Sequence, residues 1–517
     1  MELLDLPGQL SAVQPGLPGD ITASGTIRFV LDGEIVELRD VDPTRTVLQF
    51  LREDLRKTGT KEGCAEGDCG ACTVVLAELD RDGEGLALKA VNSCIQFLPT
   101  LDGKELITVE SLCSRNAGLH PVQQAMVEQH GSQCGFCTPG FVMSLFALYK
   151  SQRDPSRRDI DDALAGNLCR CTGYRPIVAA ASAMYDIPSA DGDWLRQPCG
   201  RGEPPIDRIE RLRSIARDGA LELHHGDRAF FAPRTIEELA GLLGKYPDAT
   251  LLAGGTDVGL WVTKQHRELE TLIYVGEVAG LGDMRTGDTH LEIGGAVTFT
   301  DAMPAVLEHY PLLEEMLRRF ASPTIRNVGT LGGNVANGSP IGDSMPALMA
   351  AGASLVLRSA AGAREVALDA FYHDYRVNDL RPGEFVERIR LPLPGPGSTL
   401  RCYKVSKRFD QDISAVCAAY HLELEDDHVR AIRIACGGLA ATVKRATHCE
   451  QALAGQPWTE ATVAAGMAAF AKDFEPITDM RASAAYRLQA GRNLLRRLYL
   501  ETRGELTESV YSYGRQG

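Results

Sequence analysis

Lys61 to Val75 reads KEGCAEGDCGACTVV, which places three cysteines within nine residues and runs into an apolar strand. Cys64, Cys69 and Cys72 have the spacing C-x4-C-x2-C, and Cys94 follows after a strand; this is the plant-type arrangement for a 2Fe-2S cluster. Four thiolates must converge on two irons from a tight loop. Gly63, Gly67 and Gly70 let the backbone turn closely enough for N–H groups to face the cluster sulfurs. Structural zinc is the competing reading, although zinc sites usually pair two short C-x2-4-C knuckles.

A second set is Cys134-Gly-Phe-Cys137 with Cys169-Arg-Cys171. C-x2-C alone is shared by zinc sites, thioredoxin-like dithiols and clusters. The tight C-x-C partner weighs toward a four-thiolate cluster cage, with zinc still open. Nine of the fourteen cysteines lie between Cys64 and Cys171. Of these Cys113 fits neither pattern and reads as structural. Cys199, Cys402, Cys417, Cys436 and Cys449 are scattered singly and read as buried small hydrophobes.

Two glycine loops are the other candidates. LLAGGTDV, Leu251 to Val258, is a strand ending in two glycines and a hydroxyl, which permits close backbone approach to a phosphate. It lacks the full G-x-G-x-x-G fingerprint, and Gly-Gly turns are mostly just turns. PTIRNVGTLGGNVANGSPIGDSMPAL is richer, with Gly329, Gly332, Gly333 and Gly338 and with Thr330, Asn334 and Ser339 as donors. Such density can wrap a diphosphate without a cationic side chain; a two-bend surface loop is the other reading.

The elements that must position these residues follow from periodicity. TIRFVLDGEIVELRDV alternates around Asp32-Gly33 as a β-hairpin, and TVLQFLREDLR has helical spacing. From His120 the spacing is helical four times over: PVQQAMVEQH, GFVMSLFALYKSQ, IDDALAGNLC and YRPIVAAASAMYD, a compact bundle with cysteine pairs near helix ends. Residues 187–222 are rich in Pro, Gly and charge and read as a linker. Beyond them short strands, glycine turns and helices alternate, with a further α+β segment from 396. A chain of 517 residues exceeds the roughly 250 at which single cores split. The net charge of −15 speaks against nucleic acid as a partner. No stretch approaches the roughly 18 consecutive apolar residues of a membrane span. The amino-terminal segment has neither the basic start nor the apolar core of a signal peptide, so a cytoplasmic location is expected.

CAEGDCGACTVV, QCGFCTPGF and GNLCRCTGYRPI together resemble the iron–sulfur half of the xanthine dehydrogenase family of molybdenum hydroxylases. The two glycine loops, in this order, resemble that family's FAD domain, of vanillyl-alcohol-oxidase type. The resemblance covers the chain from about Thr26. It implies a multidomain α+β architecture: a β-grasp ferredoxin 2Fe-2S domain over 26–108, a helical-bundle 2Fe-2S domain over 109–186, the linker, an FAD-binding domain over 223–395 and a C-terminal α+β flavoprotein domain over 396–517; residues 1–25, rich in Pro, Gly and Ser with little periodicity, have no counterpart in it and read as a mobile tail. It implies that Cys64, Cys69, Cys72 and Cys94 hold one cluster and Cys134, Cys137, Cys169 and Cys171 the other. Gln133 and Cys171 are then expected to approach the pterin of a partner.

FAD contacts are implied for Leu251, Leu252, Ala253, Gly254, Gly255, Thr256, Asp257 and Val258, for Thr330, Leu331, Gly332, Gly333 and Asn334, and for Asp343, Phe320 and Lys404. Read without the resemblance, Phe320 is a core aromatic and Lys404 a solvated charge. The implied function is the electron-transfer subunit of a two-subunit enzyme, with electrons from a molybdopterin-binding large subunit passing through both clusters to FAD and then NAD. The implied reaction is oxidation of hypoxanthine and xanthine to urate, with aldehyde or N-heterocycle oxidation as the alternative. A heterotetramer is implied, and substrate chemistry would lie on the partner, with no catalytic residue in this chain.

Overall fold

The computed structural model describes residues 25–80, 82–113, 118–188, 193–200 and 205–505, so the expected tail lies outside it except for Gly25. It divides into two compact units. One runs through Leu242 and takes in Asp248–Val278 and Ser322–Gly329; the other holds Leu243–Pro247, Ala279–Ala321 and the chain from Thr330.

The first unit opens with β1 (Thr26–Leu31) and β2 (Glu34–Arg39), joined by Asp32 and Gly33 at φ 53° and 82°. Two left-handed residues are what a two-residue type I′ hairpin needs. With β3 (Thr73–Leu79), β4 (Leu86–Asn92) and β5 (Glu105–Ile107) they form a sheet of order β2-β1-β5-β3-β4. The stretch TVLQFLREDLR is helical but not uniformly α. Val47–Gln49 is an α-turn with a Thr46–Gln49 capping box, and Phe50–Asp54 widens to a π-turn.

Four helices follow at Pro121–Glu128, Thr138–Ser151, Arg157–Leu164 and Arg175–Ala183. Pro121, Pro139 and Pro176 sit in first turns, where a missing N–H costs nothing. Thr138–Ser151 buries Phe141, Met143, Leu145, Phe146 and Tyr149 and is the central helix of the bundle.

The segment read as a linker is partly built. Helix Ile206–Ile215 buries Ile209, Leu212 and Ile215, the last two against Val30. The unit closes with β6 (Leu221–His225), β7 (Arg228–Ala232), β8 (Thr250–Leu252) and β9 (Thr271–Tyr274) in the order β6-β7-β9-β8, parallel between β7, β9 and β8. LLAGGTDV therefore leaves the carboxyl end of a parallel strand, where α/β sheets place ligands.

The second unit contains β10 (Met284–Thr286), β11 (His290–Gly294), β12 (Ser354–Ser359), β13 (Gly362–Ala367), the small pair β14 (Tyr372–Asp374) and β15 (Val377–Asn378), and β16 (Phe385–Pro392). Its five-stranded sheet runs β10-β11-β16-β12-β13. The carboxyl-terminal sheet of β17 (Ser398–Val405), β18 (Val416–Glu425), β19 (His428–Gly437) and β20 (Lys444–Arg445) is covered by helices Thr447–Leu453, Glu460–Phe470 and Ala484–Thr502. No helix among the described residues is long and apolar enough to cross a membrane.

Candidate functional site

The β3–β4 register pairs Thr73 with Asn92, so the two strands deliver Cys72 and Cys94 to one end of the sheet, each 2% exposed. The loop before β3 turns through left-handed Ala65, Gly67 and Gly70. That winding points the amides of Asp68 and Cys69 at Cys64 Sγ, at 3.4 and 3.3 Å, and the amide of Cys64 at Cys69 Sγ at 3.3 Å. The thiols fall into two couples, Cys64 with Cys69 and Cys72 with Cys94. The Cys69 thiol and the surrounding amides draw Cys64 down to about 5 against its burial, while the bond to Cys64 and burial push Cys69 up. A thiolate is the ligating form.

The second set repeats the pairing, Cys134 with Cys171 and Cys137 with Cys169. Cys137 immediately precedes helix Thr138–Ser151, at the positive end of its dipole. Burial and then Cys169 push Cys137 up to about 12. Cys169 is lowered: burial opposes ionisation, but the Thr172 hydroxyl at 3.1 Å and amide at 3.4 Å outweigh it. Cys134 and Cys171 are exposed, as is Gln133. Two couples of thiols, each fed by backbone N–H groups, fit a two-iron cluster better than a one-ion cage.

The two cysteine loops are fastened to each other. Asn167 Nδ2 donates to Gly70 O at 3.0 Å, and the Leu168 amide donates to Cys69 O at 3.0 Å, one residue before Cys169. A Cβ on Gly70 would sit 2.1 Å from Gly166 O, and one on Gly140 would sit 2.1 Å from Gly70 O. These glycines are therefore required by the joint between the loops as well as by the turn. Asn92 adds a further tie, donating to Gly67 O and Thr324 Oγ1 at 2.9 Å each.

The residue after Cys94 reaches the first glycine loop. Ile95 O would lie 2.7 Å from a Cβ on left-handed Gly255 and 2.9 Å from one on Gly259, and Gln96 Nε2 donates to Gly254 O at 2.9 Å. A Cβ on Gly254 would meet Val328 O at 1.9 Å. Gly254 and Gly255 are thus small for the protein's own backbone first. Asp257 accepts from Trp261 Nε1 at 3.0 Å.

In the second unit, Thr330 caps helix Leu331–Asn337 by accepting from the Gly333 amide at 3.0 Å, and a Cβ on Gly332 would lie 2.3 Å from Gly295 O. Asn334 Oδ1 accepts from Ser344 Oγ at 2.7 Å. Phe320 is half-buried, its ring 4.4 Å from that of Phe299. Lys404 is not a solvated charge: Nζ lies 2.5 Å from Asp343 Oδ2, with side chains 2% and 3% exposed, and Ser414 Oγ donates to Asp343 Oδ1 at 2.6 Å.

Cys402, Cys417, Cys436 and Cys449 are buried, whereas Cys199 is only half-buried and Cys113 is exposed. Sequence reasoning missed Asn92, Asn167, Ile95 and Ser414. An Asn or Ser leaves no periodic signal, although Asn167 does stand two residues before Cys169.

Residues 29–98 match a 2Fe-2S iron–sulfur cluster binding domain and 108–182 a second 2Fe-2S binding domain; 224–394 match the FAD binding domain in molybdopterin dehydrogenase, and 401–502 the CO dehydrogenase flavoprotein C-terminal domain. Xanthine dehydrogenase of Emericella nidulans is 34% identical over 87% of this chain, and that of Drosophila pseudoobscura pseudoobscura 35% identical over 83%. The chain spans about a third of those relatives, 36% and 35% of their lengths. A solved carbon monoxide dehydrogenase from Hydrogenophaga pseudoflava is 30% identical, with a TM-score of 0.50 over 52% of this chain and 94% of that one. With two 2Fe-2S domains, an FAD-binding domain and the flavoprotein carboxyl-terminal domain in one chain, this protein belongs to the molybdenum hydroxylase family, as its iron–sulfur and FAD-binding part.

Proposed function

We propose that the chain is the electron-transfer subunit of a two-subunit xanthine dehydrogenase, partnered by a molybdopterin-binding large subunit in a heterotetramer of two of each, with NAD as acceptor and purine catabolism as its role. The observation that carries this reading is a graded series of sites within the first unit. Cys134 and Cys171 are at the surface beside exposed Phe136, Leu168 and Tyr174; Cys72 and Cys94 are sealed in; and Ile95 presses on the glycine loop. An exposed ligand pair rimmed by apolar side chains suits docking against a partner's redox centre. A sealed pair suits transfer onward inside the chain.

When bound, the clusters carry electrons singly and FAD collects two and releases them as hydride. This chain's own residues supply the rest. Cys64, Cys69, Cys72 and Cys94 hold one cluster, and Cys134, Cys137, Cys169 and Cys171 the other. Gln133 and Cys171 face the partner's pterin. On this reading the backbone from Leu251 to Val258 would contact FAD; in the second unit Thr330 to Asn334 and Asp343 would contact it, and Phe320 and Lys404 would border its ring.

The test is to purify the chain with its partner, add xanthine without oxygen, follow the visible absorbance, and then add NAD. Bleaching followed by NADH formation is expected. Dithionite bleaching without a response to xanthine would move the assignment to a hydroxylase of aldehydes or N-heterocycles. A colourless protein would refute the redox reading itself.

A further inference from the structure

A cavity of about 30 Å3 lies inside the second unit, lined by Phe299, Ala302, Met303, Met316, Leu331, Leu400 and other apolar side chains. Ser344 is its sole polar side chain, and that hydroxyl is committed to Asn334 Oδ1 at 2.7 Å. Holding a water takes roughly 10–15 Å3 and two to four polar partners; this space has the room without the partners, and apolar cavities of that kind stay dry and take xenon. Its position is not arbitrary. Phe299 lines it and packs at a tilt of 36° against Phe320, ring centroids 4.4 Å apart, Leu331 belongs to the second glycine loop, and Ser344 adjoins Asp343.

We propose that this cavity is a binding site for a small apolar gas, dioxygen in the cell, held behind the Phe299–Phe320 pair; that it faces the flavin rests on the FAD reading above. A dry space of this size discriminates by polarity and volume. Dioxygen enters without losing hydrogen bonds, whereas water, peroxide and the nicotinamide ring are excluded. The ring of Phe320 then separates the gas site from the cofactor's expected position, so access to one is governed by the packing of the other.

The experiment uses the full chain with methyl-labelled methionines. Dissolved xenon is expected to shift the Met303 and Met316 methyl signals in a saturable way. Dissolved oxygen, which is paramagnetic, is expected to broaden the same signals more than that of Met143, buried in the other unit. Ala302→Leu fills the space and abolishes both effects; Ala347→Val is the gentler filling variant should Ala302→Leu fail to fold. Absence of a saturable xenon shift in the wild-type chain, or its persistence in a folded filling variant, would overturn the proposal. FAD content, read from absorbance on the same samples, separates the two readings: xenon binding in a chain that never takes up FAD sinks the flavin assignment and leaves the gas site, and FAD without xenon binding does the reverse.

Discussion

Asn167 Nδ2 donates to Gly70 O at 3.0 Å, joining the loop that carries Cys169 to the loop that carries Cys69. The same amide accepts from Ser144 Oγ at 2.6 Å, so it is anchored to the central helix of the bundle and is 2% exposed. Asn167→Ala leaves the Ser144 hydroxyl buried without its partner, a loss of about 1–3 kcal/mol in urea unfolding. Asn167→Asp should do no better, because a carboxylate cannot donate to a carbonyl. With both clusters loaded, rapid-mixing spectra of either variant should show slower transfer between them. Unchanged transfer in a folded variant would reduce Asn167 to ordinary core polarity.

The Lys404–Asp343 pair is nearly sealed, and removing one partner strands the other charge in the interior. Such a loss costs about 3–5 kcal/mol when one side alone is removed. Lys404→Met is therefore expected to lower the urea midpoint sharply, and Asp343→Asn combined with Lys404→Met to recover part of it. If both residues border the flavin, each folded variant also carries less FAD per chain, read from absorbance. Full FAD content in both would remove them from the site while leaving the ion pair intact.

The gathering of the thiols into two sets was legible in the sequence, because cysteine spacing is a local signal. The hairpin at Asp32-Gly33 and the four helices after His120 were legible for the same reason: periodicity and turn chemistry act over a few residues. Long-range demands were not. Gly254 reads as a phosphate-contacting glycine, yet Val328 O, far along the chain, already forbids it a side chain. Lys404 reads as solvated because nothing near it announces Asp343. The linker helix Ile206–Ile215 hides because its buried face is only Ile209, Leu212 and Ile215, set among Arg and Glu.

His120 caps helix Pro121–Glu128 and is buried, with Nδ1 accepting from the Val122 amide at 3.1 Å and Nε2 donating to Leu195 O at 2.8 Å. Both nitrogens are satisfied only in the neutral ring. Burial lowers its pKa from 6.5 to about 4, with Arg196 and Lys150 adding to the shift against the Leu195 bond. The unfolded chain therefore binds the extra proton between those values, and stability falls as pH drops from 6.5 toward 4. The contribution is roughly 3 kcal/mol, present in full above the ordinary histidine pKa. His120→Asn keeps a cap acceptor and should flatten this part of the profile in urea titrations across that range. An unchanged slope would place the acid sensitivity elsewhere.

Cys171 and Cys72 test the two sites separately because their surroundings differ. Cys171 is exposed, so Cys171→Ser should leave the fold intact while removing about half the iron and one of two cluster signals in electron paramagnetic resonance. Cys72 is 2% exposed, and Cys72→Ser puts a hydroxyl into an apolar setting, so it should lose the other signal together with about 1–3 kcal/mol of stability. Chemically reduced nicotinamide should still bleach the flavin in Cys171→Ser, since the sealed site and the glycine loop are untouched, while xanthine supplied through the partner should not. If instead each variant loses both signals, the two sets of thiols do not hold independent clusters. Retention of full iron in both would mean that the couples Cys134–Cys171 and Cys72–Cys94 are not ligands.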